Sequence, residues 1–357
     1  PSSSSQTHFH KISQILPGHI GHFDCVKWTL EQKPYFDWNS PAQQNEVGES
    51  TSLVDTLSDS VAARLVSDRP VGLLLSGGID SSLLLSIMVT MGLQDQVKIF
   101  MGDTGRSDDY HYAKKSVEQL GLPAETVVMD YNENTFERFL NICWHHEKPF
   151  PLNGNAMAMP QMYEVVESEG IPVVLDGSGG DEMFGGYWER HMPFAMRNAM
   201  QQRDWQWIKQ MLYSNGKSNR VRQSFFNAFL PVEILNMKHK ISSRFGKQFH
   251  PLINATHTEI WNSVNPDPLE TLSSDFSNAL SQDVAPGGRL GEWIWHNDRN
   301  SMMSSVESRS PLLDYRLHKY LFSGYSNKYR GVWNKHELRA VFDQFQQLPT
   351  QWRRQKQ

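Results

Sequence analysis

Two apolar runs joined by a short glycine turn place the strongest constraint on the fold of this chain. Residues 71–75 read Val-Gly-Leu-Leu-Leu and contain only apolar residues and glycine, which is typical of a short strand buried on both faces. From Asp80 onward, apolar residues recur at helical spacing: Leu83, Leu84, Ile87 and Met88. The pattern predicts a helix beginning at Asp80, with residues 76–78 in a tight turn between strand and helix.

A turn in this position is suited to binding an anion such as phosphate. The free N–H groups at the start of a helix and the positive end of its dipole point at whatever lies above the turn. Gly77 and Gly78 would let a phosphate approach the backbone closely, and the hydroxyls of Ser76, Ser81 and Ser82 would add donors. The segment has neither the lysine of a Walker loop nor the G-x-G-x-x-G pattern of dinucleotide-binding folds.

Asp80 lies inside this predicted anion site. Its carboxylate would repel phosphate unless a cation stood between the two groups. We therefore infer that Mg²⁺ bridges Asp80 to phosphate oxygens, because Mg²⁺ commonly binds one or two carboxylates together with substrate phosphates. The alternative that these residues leave open is a strand-to-helix turn without a ligand.

The sequence Ser-Gly-Gly-Ile-Asp-Ser-Ser of residues 76–82 resembles the S-G-G-x-D-S pyrophosphate loop of the ATP pyrophosphatases. Those enzymes split ATP into AMP and pyrophosphate while activating a carboxylate or carbonyl oxygen. The motif alone leaves several members open: asparagine synthetase, argininosuccinate synthetase, GMP synthetase, NAD synthetase and tRNA-thiolating enzymes. The choice among them depends on the rest of the chain.

A second glycine-rich turn follows another apolar run, at residues 172–187. Its carboxylates, Asp181 and Glu182, could complete the metal site begun by Asp80, although an acidic loop at a sheet edge is the plainer alternative. The block is similar to the G-x-G-x-D-E-x-F-x-G-Y signature of the asparagine synthetase family, which the other ATP pyrophosphatases lack. That resemblance implies that Asp181 is the second metal-binding carboxylate. It also places Gly177 near the nucleotide.

Ser178 departs from the family pattern, which has a glutamate at this position. In the family, that glutamate is thought to help the ammonia step near the acyl-adenylate. A serine does not act as a base near neutral pH without an activating partner. We therefore expect Ser178 to lie in the catalytic region, with a different acceptor, amine or route for the proton.

Two further blocks match the same family. Residues 298–314 resemble D-R-x-S-M-x-x-S-x-E-x-R-x-P-x-L-D, and residues 335–339 match K-x-x-L-R. The charged residues of the first block, among them Glu307, Arg309 and Asp314, fit a buried ion-pair network better than a grip on the acceptor substrate. The second match implies that Lys335 supplies the positive charge on the pyrophosphate leaving group, whereas without it a solvated helix lysine would be the better interpretation.

The order of predicted elements indicates an α/β fold. We expect strands at residues 97–101 and 125–129 and helices at 108–120 and 136–144. Alternating strands and helices predict a parallel sheet with helices on both faces and with ligands at the carboxyl ends of its strands. The resemblance implies the ATP pyrophosphatase version of this fold, related to the adenine nucleotide α-hydrolases, with about five strands and a helical carboxyl-terminal part. It also places the backbone of Leu75 and Met101 against the nucleotide, with Met101 near adenine.

Residues 1–50 are predicted to form a separate amino-terminal segment that ends in a polar linker at 40–50, followed by a synthetase domain at 51–357. We expect short strands at residues 12–20, 23–28 and 35–38, around the Pro17-Gly18 turn. The segment is similar to the last strands of the glutaminase domain of asparagine synthetases. The resemblance therefore implies that this chain carries the end of that domain and lacks the domain itself, so a separate glutaminase is a possible partner.

Composition narrows the classes of partner and location. The chain has 357 residues, of which 39% are hydrophobic and 20% charged, as in an ordinary soluble protein. A formal net charge of −5 gives no reason to expect nucleic acid, and no apolar run approaches the length that spans a bilayer. Two cysteines, Cys25 and Cys143, fit a reducing cytoplasm. We expect a cytoplasmic protein with no nucleic-acid or membrane partner.

Taken together, the four matching blocks imply an asparagine synthetase-like ligase. Such an enzyme uses Mg²⁺ and ATP to convert a carboxylate such as aspartate into an acyl-adenylate, which ammonia or an amine then captures. Two alternatives stay open: an amide or lactam synthetase of a specialised pathway, and a relative that binds nucleotide without turnover.

Overall fold

The computed structural model describes residues 7, 9–36, 52–105, 108–130, 132, 134–147, 155–214, 226, 275–345 and 347–348. The linker predicted at 40–50 lies outside the described residues. No helix within these ranges combines the length and apolar character needed to cross a bilayer.

The described residues form seven strands and twelve helices. The strands are β1 (His19–Asp24), β2 (Thr29–Pro34), β3 (Val71–Leu74), β4 (Val97–Asp103), β5 (Ala124–Val128), β6 (Val173–Leu175) and β7 (Glu307–Arg309). The helices are α1 (Leu53–Leu65), α2 (Ile79–Thr90), α3 (Asp109–Leu120), α4 (Thr135–His146), α5 (Asn155–Ser168), α6 (Gly180–Phe184), α7 (Trp188–Gln201), α8 (Trp205–Ser214), α9 (Phe276–Val284), α10 (Arg289–Met303), α11 (Tyr325–Lys328) and α12 (His336–Phe345). Short 3₁₀ turns lie at Gln94–Gln96, Pro311–Leu313 and Tyr315–Phe322.

Five of the strands form one parallel sheet in the order β5-β4-β3-β6-β7. The strand predicted to precede the first glycine turn, β3, is central, and β6, which precedes the second turn, is its direct neighbour. Because parallel neighbours end at the same edge of a sheet, both glycine turns lie side by side. The predicted parallel α/β sheet is confirmed.

Helices cover both faces of the sheet. Alternate residues of a strand point to opposite faces, and Leu73 of β3 packs with the buried residues of α1, α2 and α3, whereas Leu74 packs with those of α5. Both strand faces are therefore apolar, which explains why β3 reads as a continuous apolar run rather than as an alternating one. This arrangement confirms the prediction of helices on both sides, and α6 to α12 form the helical carboxyl-terminal part.

The predicted boundaries along the sheet agree with the structure to within about two residues, as is usual for element ends. In the amino-terminal segment the predicted strands are displaced: β1 begins at His19 rather than at residue 12, and of the strand predicted at 35–38 only residues 35–36 are described. Residues 25–28 form a turn between β1 and β2 rather than a strand, because the Asp24 carboxylate accepts the N–H groups of Val26 at 2.8 Å and Lys27 at 3.0 Å. Residues 35–36 follow β2 and belong to no strand.

Strand β7 has no signal of its own in the sequence, since its three residues are Glu-Ser-Arg. It forms because β6 offers an open edge, to which β7 pairs in parallel from Val173↔Glu307 to Leu175↔Arg309. Glu307 and Arg309 form an ion pair at the surface rather than in the predicted buried network, because the Glu307 side chain is 58% exposed. Arg309 binds Glu307 at 2.8 Å and donates to the carbonyls of Arg64 and Val66 at 2.9 and 2.8 Å.

Asp314 is the buried centre of a second group of charges. Its carboxylate accepts hydrogen bonds from Arg64 Nη1 at 2.9 Å and from Arg316 Nε at 2.9 Å. Burial alone would raise the pKa of Asp314, but the hydrogen bonds from Arg316 and Arg64 outweigh burial and lower the pKa to about 2. The group therefore stabilises the fold in its ionised form.

We expect Asp314→Asn to lower the free energy of unfolding by about 2 kcal/mol at neutral pH. Since the folded-state pKa is depressed, this stabilisation is complete above the unfolded-state value and is lost as the pH falls from about 4 toward 2. Urea unfolding at pH 7, 5 and 4 should therefore show a gap between the two proteins that begins to narrow only at the lowest pH. Asp59→Asn, which removes an exposed partner of Arg316, is the control and should change stability little.

Candidate active site

The first glycine turn has the geometry of an anion site. Gly77 has φ +75°, and a Cβ atom there would lie 2.6 Å from the backbone nitrogen of Ala113, so the turn requires glycine. Gly78 caps α2 without a side-chain hydrogen bond. The Ser76 and Ser81 hydroxyls are 3.0 Å apart, and Ser81 Oγ accepts the Ser76 N–H at 3.1 Å. These two hydroxyls hold the turn in shape.

The other residues predicted to bind nucleotide lie in and around this turn. Leu75, which follows β3, and Met101, in β4, are both buried. Ser82 is also completely buried within α2. Contact of these residues with a nucleotide stays a prediction.

The second glycine turn presses directly on the first. A Cβ atom at Gly177 would lie 3.0 Å from Asp80 Cβ and 3.0 Å from the Ser81 nitrogen. A Cβ atom at Gly180 would lie 2.5 Å from Asp80 Cγ. Only glycine lets the two turns approach this closely, and this approach fixes Asp80 relative to Asp181, the residue that follows Gly180.

Lys335 joins the two predicted metal-binding carboxylates. Its Nζ lies 2.6 Å from Asp80 Oδ2 and 2.7 Å from Asp181 Oδ1, although the lysine is only 1% exposed. Burial alone would lower the pKa of Lys335, but Asp181 and Asp80 outweigh burial and raise it. The lysine is therefore a fixed positive charge at the meeting point of the two turns, as its predicted role requires.

A second set of contacts holds Lys335 in place. The residue has φ +50°, a left-handed conformation that is uncommon for lysine. The side-chain amide of the adjacent Asn334 donates to the Gly186 carbonyl at 2.8 Å. The backbone carbonyl of Asn334 accepts a hydrogen bond from Arg339 Nε at 2.8 Å. Arg339 in turn lies 4.8 Å above the Trp333 ring. The last arginine of the K-x-x-L-R match thus orients the lysine.

The donor set fits Mg²⁺. Asp80 and Asp181 contact the same ammonium group, so both carboxylates face one small region, and two carboxylates with substrate phosphates are a common set for this ion. Within the described part of the chain, no three His, Cys, Asp or Glu side chains gather into a protein-only metal site. A metal here would therefore depend on the phosphates for its remaining ligands.

Asp176 is a site residue that the sequence analysis missed. It follows β6 directly and lies between Leu175 and the half-buried Ser178, to whose N–H its carboxylate is bonded at 2.8 Å. The sequence signal that could have identified Asp176 is an acidic residue directly after an all-apolar strand. Burial of a carboxylate is costly unless the group is hydrogen-bonded or paired. Ser178 lies on the second glycine turn, whose Gly177 and Gly180 approach Asp80, and its place near the reacting groups stays a prediction.

Comparison with known proteins agrees with this geometry. The model of the asparagine synthase family matches residues 52–357. An amidase of Gibberella zeae (Amidase chry2) is 26% identical over 96% of this chain and 57% of its own length, and an amidase of Penicillium rubens (Amidase chyE) is 26% identical over 89% and 52%. Asparagine synthetase [glutamine-hydrolyzing] 1 of Bacillus subtilis is 31% identical over 79% of this chain and 45% of its own length. The chain thus spans about half the length of these relatives.

We expect Gly177→Ala to weaken binding of Mg²⁺-ATP by at least about tenfold, because the added methyl group forces the two turns apart. Titration calorimetry with the folded variant measures this effect. Gly170→Ala is the control: Gly170 has φ +72° with no atom near the added Cβ, so it should cost about 1 kcal/mol of stability and leave affinity unchanged. Wild-type affinity in Gly177→Ala would show that the contact between the turns does not shape the nucleotide site.

Proposed function

Because the chain belongs to the asparagine synthase family, we propose that it uses ATP to activate a substrate carboxylate and then joins the acyl group to ammonia or an amine. The observation that carries this proposal is the placement of Lys335 between Asp80 and Asp181, where two glycine turns meet. A buried, fixed positive charge beside an anion-binding helix start is suited to stabilise charge on a leaving pyrophosphate.

In the proposed reaction, a carboxylate oxygen of the substrate attacks the α-phosphorus of ATP. A new O–P bond forms, the bond between the α- and β-phosphates breaks, and pyrophosphate leaves. The amino-terminal end of α2 would bind the departing phosphates, and Lys335 would neutralise the charge that develops there. Bound Mg²⁺, held by Asp80 and Asp181, would supply further neutralisation of the phosphates.

In the second half of the reaction, an amine nitrogen attacks the acyl carbon, AMP leaves and the nitrogen loses a proton. Ser178 lies on the turn where the family pattern has a glutamate, and a serine does not take that proton unaided. Positioning of the two reactants therefore supplies most of the protein's contribution to this step.

We place the enzyme in the cytoplasm, with ammonia supplied free or by a separate glutaminase.

A second candidate is an amide or lactam synthetase of a specialised pathway. Two observations favour it: the serine at position 178, and the similarity to two fungal proteins named amidases over 96% and 89% of this chain. Under this alternative the nucleotide chemistry is unchanged, and the acceptor and amine differ from aspartate and ammonia.

Mass spectrometry of a reaction containing ATP, Mg²⁺, aspartate and ammonium tests the first candidate, since AMP and asparagine should appear together. AMP formation only with other carboxylates, screened by exchange of labelled pyrophosphate into ATP, would favour the second candidate. Absence of exchange with every carboxylate despite ATP binding would contradict both and indicate a relative that binds nucleotide without turnover.

Lys335→Met should reduce pyrophosphate exchange by at least about 10²-fold, because a preorganised charge at the leaving group is lost. Lys335→Arg, which keeps the positive charge in a bulkier group, is measured beside it so that loss of exchange through unfolding is not mistaken for loss of charge. Lys209→Met, which changes an exposed lysine of α8, is the matched control and should keep full exchange. Turnover at the wild-type rate in Lys335→Met would remove the basis of the proposal.

A further inference from the structure

Asp176 is a buried carboxylate with four neutral hydrogen-bond donors. It is 6% exposed. One oxygen accepts the Ser178 N–H at 2.8 Å and the Ser310 hydroxyl at 2.8 Å, and the other accepts the Ser308 hydroxyl at 2.5 Å and the Asn297 amide at 2.6 Å. Its acceptor positions are thus filled, so the group is suited to hold neighbours in place rather than to take up a proton.

This charge has no cationic partner among the residues described. Burial of a carboxylate without an ion pair is expensive, and hydrogen bonds from neutral groups offset only part of the cost. The Arg309 side chain, which lies in the same strand as Ser308, is turned to Glu307 and to the carbonyl of Val66 instead. Because its burial is energetically costly, we looked to function for the reason that a carboxylate lies at position 176.

The four donors come from separate parts of the chain. Ser178 lies on the second glycine turn, Ser308 and Ser310 lie in and after β7, and Asn297 lies on α10. The same turn carries Gly177 against Asp80, so a displacement of the turn would displace the first carboxylate of the site as well. Asp176 thus ties the second turn, and through it Asp80, to the sheet edge and to α10.

We propose that Asp176 is a positioning residue that fixes the second glycine turn for catalysis. The proposal rests on the proposed function for its kinetic test. The proposed role depends on the hydrogen bonds of Asp176 rather than on its charge. A variant that keeps the hydrogen bonds but removes the charge separates these two contributions. In Asp176→Asn the new amide can donate to Ser308 Oγ and to a flipped Asn297, whose other end meets the Tyr163 hydroxyl, a group that can accept as well as donate.

The test compares kcat and the KM for ATP in pyrophosphate exchange across variants. We expect Asp176→Ala to lower kcat by about a hundredfold and to raise the KM about tenfold, because the turn loses its anchor. Asp176→Asn should restore both to within about threefold of wild type, since neutral hydrogen bonds replace the original ones. Ser60→Ala, which removes a buried hydroxyl bonded to the Pro311 carbonyl at 2.7 Å, is the control for a purely structural loss and should leave both constants unchanged.

Two results in the Asp176 variants would overturn the proposal. Wild-type constants in Asp176→Ala would leave Asp176 a purely structural role, and equal losses in the alanine and asparagine variants would assign the effect to charge. If Asp176→Ala does not fold, the double variant Ser308→Ala, Ser310→Ala must show the raised KM, and a wild-type KM there would also overturn it. Calorimetric ATP affinity of the same variants measures positioning even if the wild-type chain shows no exchange, so failure of the proposed function and failure of this inference are distinguishable.

Discussion

The contact of Lys335 with Asp80 and Asp181 is the interaction on which the rest of the site depends. Lys335 and Asp80 are 255 positions apart in the chain, yet both carboxylate oxygens of Asp80 lie within hydrogen-bonding distance of the buried ammonium. Buried charges are costly unless they are paired and hydrogen-bonded. The charge of each of the three groups is therefore compensated by the others. This pairing requires the two glycine turns and the start of α12 to meet at one point.

Close approach of backbones makes that meeting possible. A Cβ atom at Gly177 or Gly180 would meet Asp80. A Cβ atom at Gly186 would meet Asp181 and Lys335, so the space at all three positions is too small for one. Glycine at these positions costs conformational entropy on folding. The cost is offset by a site in which two carboxylates and one cation are fixed before any substrate binds, and such preorganisation is what electrostatic stabilisation of a leaving group requires.

The elements with strong local signals were predictable, and those that arise from pairing were not. β3, β4 and β5 are apolar enough to be recognised alone, and α1 to α4 show helical spacing. In contrast, β7 is three polar residues that become a strand only beside β6. The turn at residues 25–28 escaped prediction because a single side chain, Asp24, closes it through its carboxylate. Local pattern does not report such contacts.

The sequence by itself identified the candidate chemical groups of this protein: the residue types of the two glycine turns, the carboxylates Asp80 and Asp181, and Lys335. The first turn is informative because few arrangements satisfy an anion at a helix start, whereas the roles expected of Asp181 and Lys335 came from the resemblance to a family. Only the tertiary structure decided which of these groups touch, that Arg339 orients Lys335 through Asn334, and that Asp176 anchors the second turn. Those facts depend on contacts between residues far apart in the chain, for which the sequence contains no local record.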